Sequence, residues 1–201
     1  EEKIMKTDII LAGVGGQGIL SIAAALGSAA LNNNLYMKQA ETHGMSQRGG
    51  DVQSFMRISD KPIFSDLIAK GTADIILSVE PMEALRYLPY LNKNGWIITS
   101  SSPIKNIPNY PEEETLLAEL KSFANVILLD VEKIAKENNM PKCSNVILLG
   151  AAAHVLNIIT PEQLREGIGR VFAAKGETIV EMNNKAFDTG FEVAGSKIKA
   201  F

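Results

Sequence analysis

The chain has 201 residues, 46% hydrophobic and 21% charged, enough for a sizeable core and outside the range of disordered chains. A net charge of -3, with scattered lysines and arginines, excludes the basic stripe of a nucleic-acid binder and the basic run of a membrane-surface segment. No apolar run reaches the ~18 residues that cross a bilayer, and a single cysteine, Cys143, excludes an internal disulfide framework or an iron–sulfur cluster and suits a reducing, cytoplasmic setting.

The first residue is Glu1 rather than Met, which points to a trimmed N-terminus, and no structure is expected before residue 7. "TDIILAG" (residues 7–13) is apolar without alternation and reads as a strand covered on both faces. It runs into "GVGGQG" and then a helix over 17–31. Here Gly13 serves a tight turn, Gly15 and Gly16 allow close backbone approach, and Gly18 lets the helix pack near the strand. With Gln17 these residues are candidates for holding a phosphate, because a helix N-terminus offers free N–H groups and partial positive charge. The same glycines would also serve close helix–strand packing with no ligand at all.

A second strand over 35–40 leads into "AETHGMSQRGGDV" (40–52), whose glycines predict a shaped loop. If the first loop held NAD, an acid near the end of this strand should reach the ribose, and Glu41 is the candidate. His43 reads as a loop-shaping or ligand-contacting residue rather than a general base, since no carboxylate–histidine–nucleophile set assembles around it. Gly44, Arg48, Gly49 and Gly50 place guanidinium donors beside flexible N–H groups. That is an anion site, or a plain turn with Arg48 in a surface ion pair. No residue is assigned as catalytic or as a metal ligand.

"DVQSFMRIS" (51–59) and "KPIFSDL" (61–67) read as an antiparallel pair at the sheet edge. Strands over 73–79, 95–101 and 125–131 alternate with helices over 81–91, 115–123 and 131–137, the pattern of a parallel α/β sheet. Glu80 either joins a ligand rim or simply precedes the helix opened by Pro81. A helix over 144–158 is apolar on most sides and should be buried, within this chain or against another subunit. In it His154 reads as a satisfied core histidine. Cys143 has Lys142 and a helix start beside it, which could lower its pKa, but reads as structural. Thr160, Pro161 and Gln163 spell an N-cap, a first-turn proline and a capping box, and a last helix starts near Glu177.

The expected fold is α/β: a Rossmann-like, mostly parallel sheet with helices on both faces, an antiparallel edge pair and a C-terminal helical segment. One domain should span 1–201, with its core over 7–158 and C-terminal helices over 159–201. Ligands of such sheets gather beyond the carboxyl ends of the strands, which places 15–18, 41–50, 78–81 and 100–102 along one crevice.

"AGVGGQGILS" together with "ETHGMSQRGGDVQSFMRIS" resembles the gamma-type subunit of 2-oxoacid:ferredoxin oxidoreductases, most closely its indolepyruvate branch, where the equivalent chain is the beta subunit. The likeness covers roughly residues 8–190. It implies oxidative decarboxylation of an arylpyruvate to an acyl-CoA, with electrons passed to ferredoxin. It also implies that thiamine diphosphate, Mg and 4Fe-4S clusters belong to a larger catalytic partner subunit, through which the complex meets ferredoxin; homodimerisation is compatible with it. No such cofactor is expected in this chain alone. Gly50 and Asp51 are followed by Val52 rather than glycine, and Asn183 and Asn184 lie far away, so the family's magnesium–diphosphate signature is missing. Gly13, Gly15, Gly16 and Gly18 match the family's glycine loop, and Gly44, Arg48, Gly49 and Gly50 its second loop. The resemblance implies that these meet coenzyme A phosphates and help to close the active site. Two other readings stay open: a stand-alone NAD(P)-binding Rossmann reductase, resting on the glycine loop and Glu41, and a scaffold whose glycine loop is empty.

Overall fold

The computed structural model describes residues 4–44, 49–105 and 107–198. Its six strands are β1 (Lys6–Val14), β2 (Tyr36–His43), β3 (Asp51–Ser59), β4 (Ala73–Ser78), β5 (Leu91–Ser100) and β6 (Val126–Leu129), in the sheet order β2-β3-β1-β4-β5-β6. β1, β4, β5 and β6 run parallel, whereas β3 runs antiparallel to both β1 and β2. β1 is central, and its residues are buried on alternate faces, Ile9 and Leu11 on one, Ile10 and Ala12 on the other. That placement is why its sequence shows no polar alternation.

Helices cover both faces. α1 (Ile19–Asn32), α5 (Ser144–Ala152), α6 (Pro161–Phe172) and α7 (Glu177–Ile198) build the core on the side of Ile9 and Leu11, joined by Val131 and Ala135 of α4 (Val131–Glu137). α2 (Pro81–Arg86) and α3 (Glu113–Lys121) place Ala84 and Leu120 on the side of Ile10 and Ala12. The capping box of α6 is formed as expected: Gln163 N–H donates to Thr160 Oγ1 (3.3 Å), and Thr160 N–H donates to Gln163 Oε1 (2.8 Å). Among the described residues no helix is long and apolar enough to cross a membrane.

Four expectations need correction. The segment 51–59 is antiparallel, but it lies inside the sheet, and 61–67 forms no strand. Arg57 instead holds that segment as a loop, donating through Nη1 to Ser65 O (3.1 Å) and Leu67 O (3.2 Å). β2 continues to His43, so Glu41 and His43 belong to a strand rather than a loop. The helix expected to reach residue 91 ends at Arg86, because Pro89 lacks the N–H that an α-helix interior needs; a 3-10 turn over Leu88–Tyr90 leads directly into β5. The helix expected over 144–158 ends at Ala152, and this chain buries it without help. α7 lies so close to α5 that a Cβ added at Gly190 would sit 1.8 Å from Ile147 O, and one at Gly150 would sit 2.0 Å from Phe187 O.

Candidate functional site

The carboxyl ends of β1, β2, β4 and β5 meet at one edge of the sheet, as the parallel pairing requires. There the glycine loop after β1 and the second loop before β3 are joined by main chain. Gly15 N–H donates to Gly50 O (2.8 Å), and Gly49 N–H donates to Gly15 O (3.4 Å). These bonds extend the β1–β3 ladder past its last pair, Val14 opposite Asp51. Gly44 N–H closes the base of the second loop on Asp51 O (2.8 Å). The two glycine turns therefore form a single rim. Arg48 lies outside the described residues.

Each glycine of the first loop has its own reason. Gly16 (φ 102°) has nothing within 4 Å of an added Cβ, so only its backbone conformation demands glycine. Gly18 is left-handed too (φ 77°), and its Cβ would lie 2.5 Å from Asn145 Nδ2. It therefore lies tight against α5 rather than against the strand. Gly13 is still within β1, where a Cβ would meet Gln17 Oε1 at 2.8 Å. Gln17 braces the turn: Oε1 accepts from Val14 N–H (2.8 Å), and Nε2 donates to Val79 O (3.4 Å). The amides of Gly16 and Gly18 make no main-chain hydrogen bond among the described residues, and those of Ile19 and Leu20 precede any intrahelical acceptor.

His43 and Gly44 share a cleft of ≈ 440 Å³ with Gly15, Gly16, Ile19 and Leu20. The His43 ring lies against the Glu41 carboxylate, which also accepts from Gln39 Nε2 (3.1 Å). Glu41 is thus engaged within β2, and a ribose would have to compete for it.

Glu80 turns out to be wholly buried and to do more than precede a helix. Its Oε1 accepts from Met82 N–H, capping α2, and from the Tyr110 hydroxyl; its Oε2 accepts from Ile104 N–H (2.9 Å). One carboxylate thereby ties the proline-rich connection between β5 and α3 to the rim. Burial pushes its pKa up, against the pull of these hydrogen bonds. A glutamate just before a helix-opening proline was the only signal in the sequence; its partners Ile104 and Tyr110 are too far along the chain to be foreseen. Cys143 is buried, and burial pushes its thiol pKa up, the opposite of an activated thiolate. His154 is satisfied by Phe191, through Nε2 on the carbonyl (2.7 Å) and ring stacking at 3.9 Å.

The residues present do not fit an iron–sulfur cluster: the sequence has one thiol, and it is buried. Among the described residues no three His, Cys, Asp or Glu side chains gather as a metal ion would need.

An open, mostly parallel α/β sheet with a glycine-rich rim at its carboxyl edge is a Rossmann-like class of fold. Residues 8–193 match the family described as pyruvate ferredoxin/flavodoxin oxidoreductase, and the chain belongs to it as a gamma-type subunit. It is 37% identical over 196 residues to indolepyruvate oxidoreductase subunit IorB of Pyrococcus horikoshii, covering 93% of this chain and 95% of that one. Its fold matches the gamma subunit of keto/oxoacid ferredoxin oxidoreductase from Geobacter sulfurreducens, with TM-score 0.72, 23% identity, and coverage of 96% and 98% of the two chains. It also matches part of a 2-oxoglutarate:ferredoxin oxidoreductase from Magnetococcus marinus, at TM-score 0.75 and 22% identity. There it covers 98% of this chain but 32% of the other, so the same fold is built into a longer polypeptide.

Proposed function

We propose that this chain is the small subunit of an indolepyruvate-type ferredoxin oxidoreductase and that its glycine rim grips the phosphates of coenzyme A beside a partner's reaction site. The main-chain junction of Gly15 with Gly49 and Gly50 carries the reading. The rim it closes carries the amides of Gly16 and Gly18 and the positive end of the α1 dipole, which suits an anion. Thiamine diphosphate and iron–sulfur clusters, held by a larger subunit, would supply the decarboxylation and carry the electrons to ferredoxin. This chain's own part is to position coenzyme A and shield the site from water. The identity with the Pyrococcus horikoshii subunit supports the indolepyruvate assignment, and the Magnetococcus marinus enzyme, described with coenzyme A and succinyl-CoA bound, supports the choice of thioester cosubstrate.

Calorimetry of the assembled complex with coenzyme A tests the reading. Arg48→Ala should weaken binding by about tenfold, as loss of a charge-assisted contact does. Unchanged affinity would remove Arg48 from the site.

A further inference from the structure

The cleft of ≈ 440 Å³ beside the glycine rim is apolar over most of its lining, which comes from the buried Val14, Ile19 and Val52 and from Leu20, 48% exposed. Among the described residues that line it, His43 brings the one polar side chain, standing opposite Val52 in the β2–β3 ladder. A phosphate has no use for such walls, and the volume is within the ~300–1,000 Å³ of small-molecule pockets. We infer that this cleft reads the branched end of the coenzyme A arm, where the arm joins the phosphates, with His43 as a specificity-determining residue.

Directly beyond its phosphates, coenzyme A carries a carbon bearing two methyl groups and then a carbon bearing a hydroxyl. A dinucleotide such as NAD has a polar ribose at the same place. The cleft shares Gly15 and Gly16 with the rim, so phosphates held there deliver the methyl pair to Val14, Ile19, Leu20 and Val52. Burying those methyls is favourable in proportion to the apolar area removed from water. A ribose would lose its water to apolar walls and gain little in return.

A row of side chains on one face of β2 and β3 fixes the His43 ring. Gln39 Nε2 donates to Ser54 Oγ (3.0 Å) and to Glu41 Oε2 (3.1 Å), and Glu41 Oε1 lies against His43 Nε2. Gln39, Glu41 and His43 alternate along the strand, so the three share a face. A carboxylate at Nε2 keeps the ring proton there and leaves Nδ1 as the acceptor the ring can offer. An acceptor beside apolar walls matches a hydroxyl that follows two methyls. Glu41 thereby gains a task other than the ribose contact, orienting His43. The inference deepens the reading of the rim and rests on it. The indole of the 2-oxoacid is the other apolar group the reaction brings, and the shared glycines favour the group that is bonded next to the phosphates.

The test is steady-state kinetics of the complex with the larger subunit proposed above, with KM read separately for coenzyme A and for indolepyruvate. Leu20→Ser and His43→Ala should each raise KM for coenzyme A by about fivefold and leave KM for indolepyruvate where it was. Both side chains are exposed, so neither change opens the core. Leu20→Met, which keeps the wall apolar, should stay near wild type. A coenzyme A analogue lacking that one hydroxyl should show the same KM with wild type as with His43→Ala, a match that a merely structural role for the ring would not produce. Wild-type KM for coenzyme A in Leu20→Ser and His43→Ala, with KM raised by Arg48→Ala, overturns the inference and leaves the function reading intact. Wild-type KM in all three variants overturns both. A rise confined to KM for indolepyruvate puts the indole ring in the cleft and overturns the inference as well.

Discussion

Gly16 and Gly18 share one turn, yet an alanine meets a different obstacle at each. At Gly16 the surroundings are open, so Gly16→Ala loses only backbone freedom, about 1–3 kcal/mol. Gly18→Ala adds a collision with Asn145 and should melt lower than Gly16→Ala. Replacing Asn145 by alanine in that background should recover the excess but not the backbone strain. Equal melting points for the two single variants would show that the α5 contact carries no weight. Burial pushes the carboxyls of Glu80 and Glu83 above their ordinary value of 4.5. Between that value and the raised one, the folded chain keeps a proton that the unfolded chain has released, so stability falls as pH rises. Glu80→Gln should therefore show a flatter loss of urea midpoint from pH 4.5 to neutrality, Glu83 retaining the remainder; identical slopes would contradict this. Asp8, which burial would raise but Arg57 and Lys6 pull below its ordinary value, acts elsewhere, its stabilisation being lost only as pH falls through the depressed value. The glycine positions were legible because a strand–glycine–helix sequence has few backbone solutions. The role of Gln17 was not, since Val14 and Val79 come together only when β1 pairs with β4.

Helix α5 was legible as a buried element from its lack of a polar face, and α4 matches its expected span of 131–137. What covers α5 was not legible. The glycines of α7 acquire meaning only once the backbones touch, because a Cβ at Gly190 would lie within bonding range of the α5 main chain. Gly190→Ala must push the helices apart, and the packing lost along both should cost about 3 kcal/mol or more, at the upper end for overpacked cores. A urea unfolding curve checks this; a loss below about 1 kcal/mol, typical of an exposed site, would mean that α7 is free to slide. The same physics explains the misplaced β3. Its antiparallel sense follows from short loops, but whether it joins the edge or lies within the sheet depends on β2 and β1, residues that local pattern does not rank. Arg57 pairs across the β1–β3 ladder with the buried Asp8 (Nε to Oδ1, 2.8 Å), and the same guanidinium also holds Ser65 O and Leu67 O of the segment that forms no strand.

At the scale of the whole molecule, the reading proposed above gives this chain a binding task and leaves the chemistry to a partner. Converting a 2-oxoacid to an acyl-CoA releases electrons that need a carrier. The only thiol here is buried with its pKa pushed up, and no cluster of metal-binding side chains occurs among the described residues. The purified chain, given indolepyruvate, coenzyme A and an artificial electron acceptor, should therefore be inert. Adding the larger subunit proposed above should bring turnover, and the division of labour should appear in the kinetics. If this chain positions only the thioester cosubstrate, Arg48→Ala raises KM for coenzyme A and leaves KM for the 2-oxoacid where it was. A rise in both would place the rim at the 2-oxoacid as well. Turnover by the chain alone would mean that the chemistry resides in residues outside the rim.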